Sequence, residues 1–223
     1  VFEPAENAEE YVNNALSGRR RKDLRLQAKH LGEQGTLEYS ELTADGNVEE
    51  WMTEFLMLEA SGWKGKEGTA IASRKEDEEF FREIAREGFQ RGRLRMLSLN
   101  LDGHPIAQKF DLTTGEDNRY RYALKMAYDE KYSNFSPGVL LELDNLRRMH
   151  NPAQHEWVDS CAVPEHFMMN RLYTKRRVIK TILIATGRKP GRFVVSVLPL
   201  MRWFNRIFRH PEKQVAEKAQ NKE

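Results

Sequence analysis

The sequence of 223 residues contains a single cysteine, Cys161. One thiol excludes an internal disulfide framework and a zinc site built from several cysteines. The six histidines include no His-x-x-x-His pair, the spacing at which two imidazoles on one helix face hold a metal ion. We therefore expect no bound metal. Cys161 has no nucleophile motif around it, and we expect it to be a small buried residue.

The sequence also lacks a large excess of charge of either sign. Lys and Arg number 36 and Asp and Glu 34, so the net charge of +2 does not indicate a nucleic-acid binder. With 39% hydrophobic and 31% charged residues, the composition excludes a disordered chain and a membrane bundle. The two signs of charge are distributed unevenly along the chain. Residues 76–87 hold six acidic residues and two arginines, whereas residues 171–209 hold eleven basic residues and no acidic one.

Helical periodicity dominates the first 90 residues. A helix is predicted from Ala5 to Leu31, and since Ser17-Gly18 interrupts it, two helices with a joint are an equal alternative. A short strand at residues 36–42, a helix at 48–60 and a glycine-rich loop at 61–68 follow. The next helix extends to about Gln90, with Ser73 as its cap and Glu76 at the capping-box position.

The middle of the chain predicts a β-meander. Strands at residues 93–101, 104–112 and 119–128 are joined by the tight turn Asp102-Gly103 and a second turn at 113–118. In the third strand, Tyr120, Tyr122, Leu124 and Met126 are expected on one side. A loop then leads into a helix at 139–149, which Ser136 caps with Pro137 at its first position.

The last third predicts a strand at 155–159, a short helix at 164–172, a strand at 176–185, a turn at 187–191 and an apolar helix at 193–208. From His210 onward we expect a flexible polar tail. The order of elements predicts an α/β (α+β) fold. Its mixed, mostly antiparallel sheet is flanked by helices and contains one strand–loop–helix crossover.

The junction between the third meander strand and the next helix is the strongest candidate for a binding site. Backbone N–H groups at a helix N-terminus point at one place, and the helix dipole favours an anion there. Ser136, Pro137, Gly138 and Val139 are therefore the candidate phosphate-binding residues, with Gly138 allowing close approach of a ligand. The alternative is an ordinary helix cap.

Three segments together resemble a known family. They are residues 55–69 (FLMLEASGWKGKEGT), 93–107 (RLRMLSLNLDGHPIA) and 125–138 (KMAYDEKYSNFSPG). The combination is similar to GNAT-superfamily acetyltransferases of the cellulose- and polysaccharide-biosynthesis type, which are related to the Fem peptidyltransferases. The resemblance covers about residues 17–209. It implies a GNAT-like acyltransferase domain at 36–209, preceded by a helical segment at 1–35 and followed by the tail at 210–223.

The resemblance also implies cofactors and partners. Members of this family usually carry a preceding domain of similar fold, so we expect this chain to be the C-terminal half of a tandem GNAT protein, with that domain as its partner. Acyl-CoA, in the simplest case acetyl-CoA, would be the donor, and the acceptor would be an amine or hydroxyl of a small molecule or glycan-linked precursor. The loop departs from the usual Gln/Arg-x-x-Gly-x-Gly/Ala pattern, since it has one glycine and no arginine. Two alternatives stay open: an aminoacyl-tRNA-dependent Fem-like transferase, and a non-catalytic half that supports a preceding GNAT-like domain of a longer chain.

Acyl transfer needs a base, donors for the oxyanion and an acid for the leaving thiolate. Asp129 and Glu130 are candidate bases, with a solvated turn as the alternative. Tyr128 or Tyr132 is the candidate acid; otherwise Tyr128 packs in the core and Tyr132 lies at the surface.

Further candidates lie in loops and on strands. By resemblance, Trp63 and Lys64 belong to the site, Lys64 as a catalytic and Trp63 as a substrate-binding residue; without it, their segment is a surface loop. Lys125 is a candidate for substrate binding inside the cleft, unless it lies on an open sheet face. Asp159 would bind the acceptor or cap the following turn.

Two basic segments suggest further contacts. Arg202, Arg206 and Arg209 share one side of the last helix, which is too short and interrupted to span a membrane. This helix either docks on the protein or touches an anionic membrane surface. We therefore expect a cytoplasmic location, with attachment to the cytoplasmic membrane face as the alternative. Residues 19–22 (RRRK) are a solvated helix face or a contact for phosphate of CoA or tRNA.

Overall fold

The computed structural model describes residues 1–4, 7–150, 156–163, 165–179, 182, 184, 193 and 195–201. The chain divides into two units: the first is Val1–Arg177, and the described residues from Val178 onward belong to the second. The predicted turn at 187–191 and the tail from His210 lie outside the described residues. The helical segment expected at residues 1–35 and the sheet belong to the same first unit. The domain limits predicted at 35/36 and 209/210 stay predictions.

The first unit begins with two helices, α1 (Ala8–Ala15) and α2 (Gly18–Gly32). Asn7 caps α1 by accepting the N–H groups of Glu9 and Glu10, and the Ser17 side chain accepts the N–H of Arg20 at the start of α2. Side chains of this type stop one helix and start the next because they satisfy N–H groups that have no intrahelical partner. The two-helix alternative is therefore confirmed.

Three further helices precede the meander: α3 (Val48–Ser61), the short α4 (Trp63–Lys66) and α5 (Lys75–Gln90). Asn47 caps α3. The predicted capping box of α5 is wrong. Ser73 lies in a 3-10 turn, the N-cap residue is Arg74, and no side chain caps the helix. Acidic side chains in the first turn interact favourably with the helix dipole there instead.

The sheet has five strands in the order β1 (Leu37–Glu41), β2 (Leu94–Leu101), β3 (His104–Thr114), β4 (Tyr120–Tyr128) and β5 (Trp157–Asp159). Neighbours are antiparallel except β4 and β5, which are parallel. The turn between β2 and β3 has φ of 51° at Asp102 and 78° at Gly103, which confirms the tight hairpin. The crossover helix α6 (Pro137–Arg148) links β4 to β5, and α7 (Phe167–Leu172) follows.

A bulge in β4 changes which side chains face each side of the sheet. Ala123 pairs with Asp111 and Lys125 with Phe110, so Leu124 is an extra residue in β4. The predicted alternation is therefore wrong beyond Leu124. Lys125 lies on the α3 side of the sheet, whereas Met126 lies on the α6 side, beneath Gly138.

Each face of the sheet has its own hydrophobic core. One core joins the sheet to α1, α2, α6 and α7, with Leu24 and Leu31 of α2 among its buried residues. The other joins the sheet to α3 and α5, with Phe55 and Phe110 in contact. No described helix combines the length and the apolar character needed to cross a membrane.

Strand β5 pairs with only the first part of β4. Tyr120, Arg121 and Tyr122 are opposite Trp157, Val158 and Asp159. β5 ends at Asp159, so within the described chain residues 124–128 of β4, which lead toward the start of α6, have no partner strand on that side.

The described C-terminal residues agree in part with the predictions. The strand expected at 176–185 is wrong at its described positions, none of which lies in a strand. The helix expected at 193–208 is confirmed at residues 193 and 195–201. Its arginines 202, 206 and 209 lie outside the described residues, so the choice between docking and membrane contact stays open.

Candidate functional site

A cleft of about 40 Å³ opens on the α3 face where β4 ends. It is lined by Leu58, Glu59, Gly62, Trp63, Lys64, Met126, Ala127, Tyr128 and Glu130. The fold thus brings together Trp63, Lys64, Tyr128 and Glu130, four of the predicted site residues. Because a cavity needs about 10–15 Å³ of such volume to hold one water molecule, the cleft has room for a small group such as acetyl.

The buried carboxylate of Glu59 organises one wall of this cleft. Glu59 is only 3% exposed, and its Oε1 lies 2.7 Å from the Lys64 Nζ. Its Oε2 accepts the backbone N–H of Ile71 at 3.0 Å, and the Lys125 Nζ lies 3.9 Å from Oε1. A buried charge needs such partners, because transfer from water is otherwise costly. The carboxylate therefore fixes the Lys64 ammonium group at the cleft.

The predicted base Glu130 holds α4 in place. Its Oε1 accepts the Trp63 N–H at 2.6 Å, and its Oε2 lies 2.8 Å from the Lys66 Nζ. The hydrogen bond from Lys66, followed by that from Trp63, lowers the pKa of Glu130. A carboxylate with both oxygens engaged and a lowered pKa is a weak proton acceptor, so this geometry favours an anchoring role.

The other predicted acid–base residues, Tyr128, Tyr132 and Asp129, lie in three different places relative to the cleft. Tyr128 is 39% exposed and lines the cleft, whereas Tyr132 packs against the core on the α6 side. This reverses the alternative that placed Tyr128 in the core and Tyr132 at the surface. Asp129 lies just beyond the cleft, where its Oδ1 accepts the N–H of Lys131 and caps the 3-10 segment Glu130–Phe135.

The junction before α6 combines a strained residue with a basic side chain. Ser136 has left-handed backbone angles (φ 53°, ψ 49°), and its side chain makes no capping hydrogen bond, contrary to the predicted cap. Its Oγ instead accepts from the Arg20 Nη2 of α2 at 3.4 Å. No described carboxylate forms an ion pair with Arg20.

Fewer backbone N–H groups are available to a ligand at the start of α6 than the sequence predicted. Pro137 has no N–H, and the N–H groups of Val139 and Leu140 both donate to the Ser136 carbonyl oxygen. A Cβ added at Gly138 would lie 3.1 Å from the Met126 Sδ, so close packing explains this glycine. The unneutralised Arg20 guanidinium, the Ser136 hydroxyl and the positive helix end still fit a phosphate group.

Asp159 does not reach the cleft. Its Oδ1 accepts the N–H of Cys161 at 2.9 Å and thereby caps the turn after β5, as the alternative prediction had it. Cys161 is exposed, so the expected burial is wrong. Partial burial of the thiol and the nearby Asp159 raise its pKa to about 11, which disfavours the thiolate. No described cluster of three or more His, Cys, Asp or Glu could hold a metal ion, and the metal-free site stays a prediction.

A buried polar network lies on the opposite, α6 face of the sheet. The Lys109 Nζ is 2.5 Å from the Glu142 Oε2, and Tyr173 and Asn145 both donate to Glu142 Oε1 at 2.8 and 3.1 Å. Asp111 lies 3.5 Å from Lys109, and burial raises its pKa to about 6 although Lys109 and Arg121 act in the opposite direction. The network connects β3 and β4 to α6 and α7.

The sequence patterns did not reveal Glu59 or this network. Glu59 continues the buried stripe of Met52, Phe55 and Leu56 at helical spacing, and a carboxylate at such a position was the available signal. Lys109 and Asp111 lie in a strand next to a bulge, where the alternation that separates buried from exposed residues fails.

Comparison with known proteins gives one family. The model described as "Acetyltransferase (GNAT) domain" matches residues 18–167, more than half of the chain. No curated protein is similar enough to count as a match.

Several solved structures have distant similarity to this chain. An aminoglycoside acetyltransferase from an uncultured soil metagenomic sample is 11% identical, with a TM-score of 0.44 over 66% of this chain and 95% of that one. The ribosomal-protein-alanine N-acetyltransferase of Brucella melitensis is 13% identical, with a TM-score of 0.43 over 68% and 100%. The aminoglycoside 6'-N-acetyltransferase AAC(6')-Ih of Acinetobacter baumannii is 13% identical, with a TM-score of 0.43 over 66% and 99%.

Proposed function

Because this chain belongs to the GNAT acetyltransferase family, whose members are enzymes that use acyl-CoA, we propose that it transfers an acyl group from acyl-CoA to an amine or hydroxyl. Acetyl is the simplest acyl group that suits the small cleft beside Lys64. The family membership rests on the matched residues 18–167.

The unpaired end of β4 is the observation that carries the proposal, because β5 pairs only with Tyr120 to Tyr122. Residues 124–128 of β4 have a free edge on the β5 side, as far as the chain is described, and lead directly to the N-terminus of α6. An extended donor can pair with such an edge while its phosphates lie at the helix N-terminus. The cleft beside Tyr128 then lies at the end of the same edge.

The groups proposed to hold the phosphates are the side chains of Arg20 and Ser136, at the positive end of the α6 dipole formed by the first turn, Pro137 to Val139. The side chain of Arg20 supplies a positive charge, and Ser136 orients it through the hydrogen bond at 3.4 Å. The bound donor supplies the thioester, an activated acyl carbonyl.

Lys64 is proposed to stabilise negative charge that develops on the acyl oxygen. An ammonium group held in advance by a buried carboxylate loses little freedom during reaction, which makes its stabilisation effective. Glu59 is a positioning residue in this scheme, because both of its oxygens are engaged by Lys64 and the Ile71 N–H.

Tyr128 is proposed to protonate the leaving thiolate, since its exposed side chain lines the cleft. Asp129 is the better candidate base of the two carboxylates, because only one of its oxygens accepts a described hydrogen bond whereas Glu130 uses both. Trp63, 51% exposed at the cleft, and Lys125 are proposed to contact the acceptor.

The finer assignment rests on the sequence motifs. The segments at 55–69, 93–107 and 125–138 favour the cellulose- and polysaccharide-biosynthesis type, and hence a polysaccharide or cell-envelope precursor as acceptor. A cytoplasmic location is proposed because acyl-CoA is made and used there.

Calorimetry with acetyl-CoA on the full chain tests the proposal. We expect saturable binding with a dissociation constant between micromolar and millimolar. Arg20→Gln should weaken it by about tenfold, the equivalent of about 1.4 kcal/mol. Arg25→Gln, at an exposed position of the same helix, should leave the dissociation constant unchanged. Absence of binding heat would contradict the proposal, and retention of tRNA at low salt would instead favour the Fem-like alternative.

A further inference from the structure

A second, larger groove lies on the α3 face of the sheet, over β1 to β3. It measures about 230 Å³ and is lined by Ser40, Glu50, Trp51, Glu54, Ser98, Asn100, Gly103 and Pro105. None of these residues lines the cleft beside Lys64. Because a cavity needs about 10–15 Å³ of such volume to hold one water molecule, this groove has room for a sugar-sized ring rather than only for a single small group.

The floor of the groove is a connected set of polar side chains. Ser98, which is 2% exposed, donates its hydroxyl to the Asn100 Oδ1 at 2.5 Å. The Asn100 Nδ2 in turn donates to the Ser40 Oγ at 3.0 Å. Because an amide nitrogen carries two hydrogens, Asn100 keeps one donor, and the Ser40 hydroxyl hydrogen also stays available to a ligand.

Next to this floor lies a buried amide with an unused acceptor. Gln108 is fully buried, and its Nε2 donates to the Glu54 Oε2 at 3.1 Å. The opposite amide orientation would place an oxygen against the carboxylate, so the hydrogen-bond partner fixes the orientation. Among the described residues the Gln108 Oε1 has no hydrogen-bond partner, which is uncommon for a buried polar atom.

The rim of the groove carries negative charge that no described cation neutralises. Glu50 and Glu54 are one helical turn apart on α3, and neither forms an ion pair with a described residue. The adjacent Glu49, by contrast, forms ion pairs with Arg82 and Arg86. Trp51 lies between the two carboxylates in sequence and adds an aromatic surface to the same lining.

We propose that this groove binds a polyhydroxylated amine, of which an amino sugar is the smallest example. The ammonium group lies at Glu50 and Glu54, where unpaired carboxylates and an aromatic ring both attract a cation. Ligand hydroxyls accept from Asn100 and Ser40, and the apolar face of the ring packs on Trp51. This site does not depend on the proposed acyl transfer.

Titration of the ¹⁵N-labelled full chain with glucosamine, observed by NMR, tests the site. The Trp51 indole N–H signal is identified by its absence in Trp51→Phe. We expect a saturable shift of this signal, with glucosamine binding at least about tenfold more tightly than glucose, which lacks the ammonium group. Glu50→Gln combined with Glu54→Gln should weaken glucosamine binding by at least about tenfold.

A matched variant separates a local from a general charge effect. Glu76→Gln removes one exposed carboxylate of α5 outside the groove and should leave the titration unchanged. The NMR spectrum of each variant also reports whether it is folded. Absence of a Trp51 shift, equal binding of glucose and glucosamine, or unaltered binding by the double glutamine variant would overturn the proposal.

Discussion

Buried charges are the residue-scale feature that most distinguishes this sheet. Asp111 is 1% exposed and faces Lys109 on β3, Arg121 on β4 and Glu142 on α6. Burial, the largest influence, disfavours the carboxylate and raises the pKa of Asp111 to about 6, whereas the two cations oppose that effect. The ionised side chain therefore destabilises the folded state relative to the protonated one.

The raised pKa of Asp111 predicts how the stability of the protein changes with pH. Between about pH 4 and pH 7 the folded state binds the Asp111 proton more tightly than the unfolded chain does, so the unfolding free energy falls as the pH rises. The contribution reaches about 3 kcal/mol. Urea unfolding of the wild type and of Asp111→Asn across this range should show the variant gaining relative stability with pH.

The control for this series is Asp77→Asn, at an exposed position of α5, whose stability difference from the wild type should change little. The account would be contradicted if the stability of Asp111→Asn relative to the wild type stayed constant, or fell, as the pH rises.

Single residues also show what the sequence could predict of the site. The motif around Trp63 and Lys64 and the end of β4 at Tyr128 were predictable, because they lie in recognisable segments, and the fold brings them to one cleft. Glu59 was not predicted, since helical periodicity assigns its position to an apolar core and only the tertiary structure supplies Lys64 and the Ile71 N–H as partners.

At the scale of elements, α4 depends on a contact with the segment after β4. Glu130 accepts the Trp63 N–H and pairs with Lys66, so one carboxylate connects the two walls of the cleft. The lowered pKa of Glu130 means that this connection is complete above the ordinary glutamate range near 4.5 and is lost as the pH falls through the lower folded value.

Glu130→Gln should therefore loosen α4 without unfolding the sheet. The neutral amide cannot pair with Lys66 as a carboxylate does, so amide hydrogen exchange at residues 63–70 should accelerate several-fold. Exchange in β2 and β3 should not change. Glu67→Gln, an exposed residue of the same segment, provides the matched control. Equal exchange at residues 63–70 in wild type and Glu130→Gln would show that the contact does not hold α4.

Caps and turns that neighbouring residues encode were predictable from the sequence. Features that depend on the pairing of strands or the packing of distant helices were not. The Asn47 cap and the Asp102-Gly103 turn are encoded by adjacent residues. The bulge at Leu124 arises from the register between β3 and β4, and it reverses the sides of Lys125 and Met126. Ser136 was expected to cap α6 with its side chain, but its left-handed backbone and the hydrogen bond from Arg20 depend on α2.

At the scale of the first unit, the sheet separates two environments. The α3 face holds the cleft, whereas the α6 face holds the buried Lys109–Glu142 network and the core shared with α1 and α2. The mixed sheet and its crossover were predictable from the order of elements. The packing of α2 against the start of α6, which places Arg20 at Ser136, could not be read from spacing because the two residues are far apart in sequence.

The central claim is that the unpaired edge of β4 and the start of α6 together hold the acyl donor. The most direct measurement is the pattern of backbone amide shifts in the ¹⁵N-labelled full chain on addition of acetyl-CoA. We predict that the largest shifts fall at residues 124–128 and at Ser136, Gly138 and Val139, with those at residues 75–90 of α5 unchanged. Shifts that are absent from both segments at saturating acetyl-CoA would contradict the claim.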